Sequence, residues 1–123
     1  REFRVSVEKN PTHVLIEVDG PDTPVIVIAV YEVDIEPQDA LDASIETFQE
    51  MGLQVHRRTV NRTIGGVDRR GVSMRGKLGG FPWRVDTFAF KKADRVMSVI
   101  CQYSQDESKL AGKQFKTILE SLK

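Results

Sequence analysis

Gly65-Gly66 stands between two runs of strand-forming residues, Leu53 to Ile64 and Val67 to Leu78, and paired glycines in that position close a two-residue hairpin. Gly79-Gly80-Phe81-Pro82 predicts another turn, ahead of an alternating run from Trp83 to Lys91. Lys92-Ala93-Asp94 is a short connection to a further apolar run, Arg95 to Tyr103. Strands joined this closely pair antiparallel, because a parallel partner needs a crossover of about a dozen residues or more. The second half of the chain is thereby restricted to a meander of neighbouring strands.

The first half obeys two periods. Phe3, Val5 and Val7 alternate with Arg4 and Ser6, and Val14, Ile16 and Val18 repeat the pattern after the Asn10-Pro11 turn. After a second turn, Asp19 to Pro24, the run PVIVIAVYEV is apolar on both faces and reads as a central strand covered on both sides. Pro37 then suits the first turn of a helix, with Glu36 and Asp39 at the positive end of its dipole. Leu41, Ile45, Phe48 and Met51 form one apolar stripe, and Gly52 stops the helix. At the far end, Asp106 or Ser108 caps a second helix whose stripe is Ala111, Phe115, Ile118 and Leu122. Gly112 weakens it by about 1 kcal/mol relative to alanine.

The predicted order is β-β-β-α-β-β-β-β-α. It implies an α+β fold with a mostly antiparallel sheet of about six or seven strands. The two-sided apolarity of Val25 to Val33 implies helices on both faces, an α/β/α sandwich. With 123 residues and no linker, repeat or low-complexity stretch, residues 1–123 read as a single domain. No apolar run approaches the roughly 20 residues of a transmembrane helix. A single cysteine, Cys101, excludes an intrachain disulfide and a multi-cysteine metal site. The chain opens on Arg1 rather than Met, as expected of a segment that follows a removed leader.

Three features together resemble the PsbP-like superfamily over about residues 24–123: the helix ending in Gly52, the TIGG turn (Thr63 to Gly66) between long strands, and the ending FKTILESLK. The family includes the photosystem II extrinsic protein, the Ran-release factors and many bacterial secreted or lipid-anchored domains. Its usual opening, a Gly-Phe strand followed by Pro and Trp, is reduced here to Phe3, and the plant protein's insertions are absent. The resemblance implies a non-enzymatic binding or assembly module of an exported bacterial protein, periplasmic or otherwise extracytoplasmic, lipid-anchored through its removed N-terminus. A cytoplasmic adaptor like the Ran-release factors is the alternative setting. No functional residue of the family transfers.

Chemistry-bearing motifs are sparse. The histidines are His13 and His56, and Cys101 lies inside the apolar run MSVICQY, where a thiol is a small core hydrophobe. Asp34, Glu36, Asp39 and Asp42 crowd the start of the first helix, as its dipole favours; they lack the ligand spacing of a calcium loop. The glycines spell neither a phosphate-binding loop nor a dinucleotide fingerprint. Neither a metal nor a cofactor is expected, and an enzyme is less favoured than a binding protein. The competing reading is a small hydrolase or ligand-binding protein with a pocket between helix and sheet.

Charge carries the remaining signal. Residues 1–55 have a net charge of −9 and residues 56–92 a net charge of +8, in a chain whose total is zero. If Ile64 pairs with Val67, Arg62 lies opposite Arg69, Arg58 opposite Ser73 and His56 opposite Arg75. His56, Arg58, Arg62, Arg69, Arg75 and Lys77 then share one face of the hairpin, a candidate surface for an acidic protein or an anionic membrane surface. Nucleic acid is not expected, since few aromatics punctuate the patch. The structural alternative is that these cations pair with carboxylates of the first 55 residues. Phe81 and Trp83 beside Pro82 either anchor a partner or form a lid on the core. Oligomeric state is not encoded in any of these patterns.

Overall fold

The computed structural model describes residues 4–9, 13–19 and 25–104. Three strands, β1 (Arg4–Lys9), β2 (His13–Asp19) and β3 (Val25–Tyr31), lead into helix α1 (Pro37–Glu50). Four longer strands follow: β4 (Gln54–Ile64), β5 (Val67–Leu78), β6 (Phe81–Lys92) and β7 (Arg95–Ser104). They form one seven-stranded antiparallel sheet in the order β1-β2-β3-β7-β6-β5-β4. The last strand of the meander therefore returns to pair with β3, which puts β3 and β7 inside the sheet.

The glycine signals set the turns. Gly65 and Gly66 both take positive φ (61° and 83°), and Ile64 pairs with Val67 across them. The next turn is tighter than expected: Phe81 and Pro82 belong to β6, paired with Leu78 and Lys77, so Gly79-Gly80 alone reverses the chain. Ala93 and Asp94 make the third reversal at φ of 50° and 65°, a conformation that costs a residue with a Cβ.

Helix α1 starts at Pro37, where a missing N–H leaves no bond unmade, and it ends in a Schellman motif. Gly52, at φ 100°, donates its N–H to the Gln49 carbonyl, and Leu53 donates to that of Phe48. The motif drives Leu53 into the core against Phe48, with Val72, Met74 and Val85 beneath. A second core occupies the opposite face: Ile26, Ile28, Phe88, Phe90, Val99, Cys101 and Tyr103, extended by Ile64 of the edge strand.

The sandwich with helices on both faces is not what the described residues form. They make one sheet with a single helix, packed chiefly over β6 and β7. Two-sided apolarity in Val25 to Val33 reports that both faces are buried, and it does not specify a helix as the cover. The expected C-terminal helix (Asp106 or Ser108 to Leu122) lies outside the described residues.

Gly71 has a structural role distinct from a turn. A Cβ there would meet the backbone carbonyl of Thr87 and the ring of Phe88, which is fully buried. The absent side chain is the seat of that ring. Gly71→Ala should therefore cost about 2–3 kcal/mol by overpacking. Gly52→Ala, where nothing lies within 4 Å, should cost only the backbone strain of about 1 kcal/mol. Urea unfolding of both variants checks the ranking; equal losses would refute the seat.

A candidate cationic face

The face of the sheet opposite α1 collects the basic side chains of the hairpin. Arg62 and Arg69 are direct cross-strand partners, as the hairpin arithmetic requires. Farther from the turn the register slips twice, between Arg57 and Val60 and between Val55 and Arg57. Arg57 rather than Arg58 thus faces Ser73, and Gln54 rather than His56 faces Arg75. Bulges of this kind gather on edge strands, where one side of the backbone has no partner to hold the count.

The predicted group of six is therefore corrected. Arg62, Arg69 and Arg75 share the face opposite the helix, at positions that alternate along β5 with helix-facing Val72 and Met74. Lys77 follows Arg75 on the same side, and His56 lies in the field of Arg75, Arg84 and Arg57. Arg58 leaves the group: with Arg70 it lines a cleft of about 530 Å³ between helix and sheet, beside Leu41, Asp42 and Ile45. Arg84 was missed. It is the direct partner of Arg75 across β5 and β6, and counting back from Gly79-Gly80 places it there.

Two clusters result, at different distances from the Gly65-Gly66 turn. Near the middle, Nη2 of Arg62 lies 2.8 Å from Oδ2 of Asp86, which also accepts a bond from the Tyr103 hydroxyl at 3.3 Å. Asp86 is buried, and burial together with this carboxylate pushes the Tyr103 hydroxyl above its ordinary value. Arg62 thus finds a counter-charge on β6, within the basic segment itself. Arg58 and Arg69 make no ion pair among the described residues.

At the open end of the hairpin, Arg75 is exposed and Arg84 half-buried, and Nε of Arg84 is buried without an acceptor. Neither has a carboxylate partner among the described residues. Desolvation, then the charges of Arg75, Arg84 and Arg57, push His56 below its ordinary 6.5. His56, Arg75 and Lys77 line an open hollow of about 570 Å³ with Pro82. On the opposite side, α1 turns Asp39, Asp42, Glu46 and Glu50 to solvent. The segregated charge of the sequence has become a difference between two faces.

Among the described residues, neither cleft is lined by a nucleophile beside a base. Cys101 is fully buried in the second core, and burial, partly opposed by Arg62, pushes its thiol up to about 12. Among the described residues no three His, Cys, Asp or Glu side chains converge on a metal position. No helix among them is long and apolar enough to cross a membrane. Phe81 is 71% exposed, which rules it out as a lid, whereas Trp83 is half-buried.

No protein-family model and no curated protein matches the chain. Solved structures do share its fold. LpqN of Mycobacterium tuberculosis, a protein involved in cell envelope biogenesis, superposes with a TM-score of 0.56 at 18% identity over 96% of this chain and 75% of its own. PA94 of Pseudomonas aeruginosa, a protein of unknown function, gives 0.60 at 13% identity, over 100% of this chain and 84% of its own. A Bacteroides thetaiotaomicron protein gives 0.51 at 10%, over 89% of this chain and 38% of its own. At these identities the likeness is one of fold.

Two measurements check the site chemistry. Asp86→Asn should cost about 3 kcal/mol in urea unfolding, because it removes the charge of one partner from a largely buried ion pair, while Arg62→Met/Asp86→Leu should recover most of that loss. Iodoacetamide should leave native Cys101 untouched at pH 8 and alkylate it on unfolding. The stability from burying the neutral thiol is present below its ordinary 9.0 and is lost as pH rises toward about 12. Rapid native alkylation would overturn the burial argument.

Proposed function

We propose that this chain is a non-enzymatic binding module whose cationic end, Arg57, Arg75 and Arg84 with His56 and Lys77, docks an acidic protein. The observation that carries this reading is the Arg75–Arg84 cross-strand pair, like charges directly opposed with no carboxylate among the described residues to offset them. Directly opposed like charges destabilise a sheet by themselves. A surface that keeps such a pair gains when an anion arrives, and half-burial of Arg84 strengthens each charge-assisted bond. Arg62 and Arg69, from the original group of six, lie on the same face toward the turn and extend the positive field; Arg58 belongs to the other side.

The same reading places residues 1–123 in one domain of PsbP-like kind. The fold likeness to LpqN, whose role is in envelope biogenesis, supports an exported, extracytoplasmic setting, with lipid attachment through an upstream residue as its specific form. The resemblance carried by Gly52, the TIGG turn and FKTILESLK supports the same kind of module.

Binding to a poly-glutamate peptide of about 20 residues tests the patch. The wild-type chain should bind it, and Arg57→Glu/Arg75→Glu, two exposed positions, should weaken binding at least about tenfold. Arg58→Glu/Arg70→Glu, on the helix side, should change it little. Binding should also fall steeply as salt rises from about 50 to about 200 mM. Equal effects of the two double variants would sink the reading.

A further inference from the structure

A second, independent site lies about 20 Å along β5 from Arg75, next to the Gly65-Gly66 turn. There Ile64, Val67, Phe90 and Met97 wall a small, largely apolar hollow of about 180 Å³, with Arg69 and Lys92 also lining it. The Arg69 guanidinium carbon sits 4.1 Å from the centroid of the Phe90 ring. Stacking occupies the flat face of the guanidinium and leaves its N–H groups, which point in the plane, to find acceptors elsewhere. Nε of Arg69 is buried and has none. The carboxylate on this face, Asp86, bonds Arg62 and Tyr103 through Oδ2 and makes no bond to Arg69.

We propose that this hollow binds a small carboxylate with an apolar body of about benzoate size, its carboxylate taken end-on by the two Nη groups of Arg69. The volume fits: a cavity of about 150 Å³ lined by aliphatic and aromatic side chains accommodates benzene. The charge fits as well, because a planar carboxylate matches the guanidinium fork with two parallel bonds. A carboxylate without an apolar body would leave the walls wet, and an apolar body without the carboxylate would leave the guanidinium without a counter-charge. The site therefore selects for both halves of the ligand at once. Lys92 at the lining adds positive potential without being required as a ligand.

Titration with benzoate, followed by backbone amide shifts, tests the proposal, with acetate and benzyl alcohol as comparators. Benzoate should saturate and shift the amides of Ile64, Gly65, Val67, Phe90 and Met97, and each comparator should bind at least about tenfold more weakly. Arg69→Gln should weaken benzoate about tenfold or more, by the loss of the bidentate pair. Val67→Trp, at a half-exposed position on the wall, should abolish binding by filling the hollow, with the melting temperature retained; it carries the test if the Arg69 variant does not fold. Benzoate binding unaffected by both variants, or shifts confined to the Arg75 and Arg84 end, would overturn the site. So would equal binding of acetate and benzoate.

Discussion

The pairing of β3 with β7 is the constraint on which the rest of this fold depends. It joins Val25 to Gln102 and Val30 to Met97, residues separated by most of the described chain, and it converts two local hairpin systems into one sheet. Without it, β1 to β3 would be a small meander with no second layer among the described residues, because α1 packs over β6 and β7. Both cores span the seam. Ile26 and Ile28 of β3 meet Val99 and Cys101 of β7 on one face, and Ile100 of β7 supports the cluster under Phe48 and Leu53 on the other. Such a contact closes a long loop before it returns any stabilisation, a cost the local hairpins do not carry.

The polar interior of the second face follows from that seam. Asp86 and Tyr103 are brought together because β6 and β7 are neighbours, and Arg62 reaches them from the outer hairpin. One carboxylate therefore anchors two other side chains at the centre of a basic surface. Arg69, Arg75 and Arg84 lie on the same face without a carboxylate partner among the described residues. The difference between a structural arginine and one open to a partner is thus a matter of position relative to a single buried acid.

The strands, the helix and their turns were legible in the sequence because each has a local cause. Period-two alternation marked β1, β2 and β6, the Leu41-Ile45-Phe48 stripe marked α1, and paired glycines marked two of the reversals. The register of β4 was not legible beyond Val60. Arg57, Arg58 and Thr59 are all polar and exposed, so no apolar side chain among them reveals which residue is the extra one. That blind spot moved Arg58 to the wrong face and hid Arg57. Arg84 was recoverable, since it alternates with Val85 and pairs by simple counting from Gly79-Gly80. The cover of the second face was not recoverable from β3, because burial has no signature of the element that causes it.

The division of charge between α1 and the opposite sheet face has a consequence for approach rather than for contact. A chain with zero formal charge exerts almost no net pull at distances where only the monopole survives. Within a few Debye lengths, the acidic side chains of α1 and the arginines of the opposite face present fields of opposite sign. A charged surface or partner then applies a torque before it applies a force, and the molecule arrives already turned. Its encounters are selected by orientation, and salt shortens the distance over which that turning can occur.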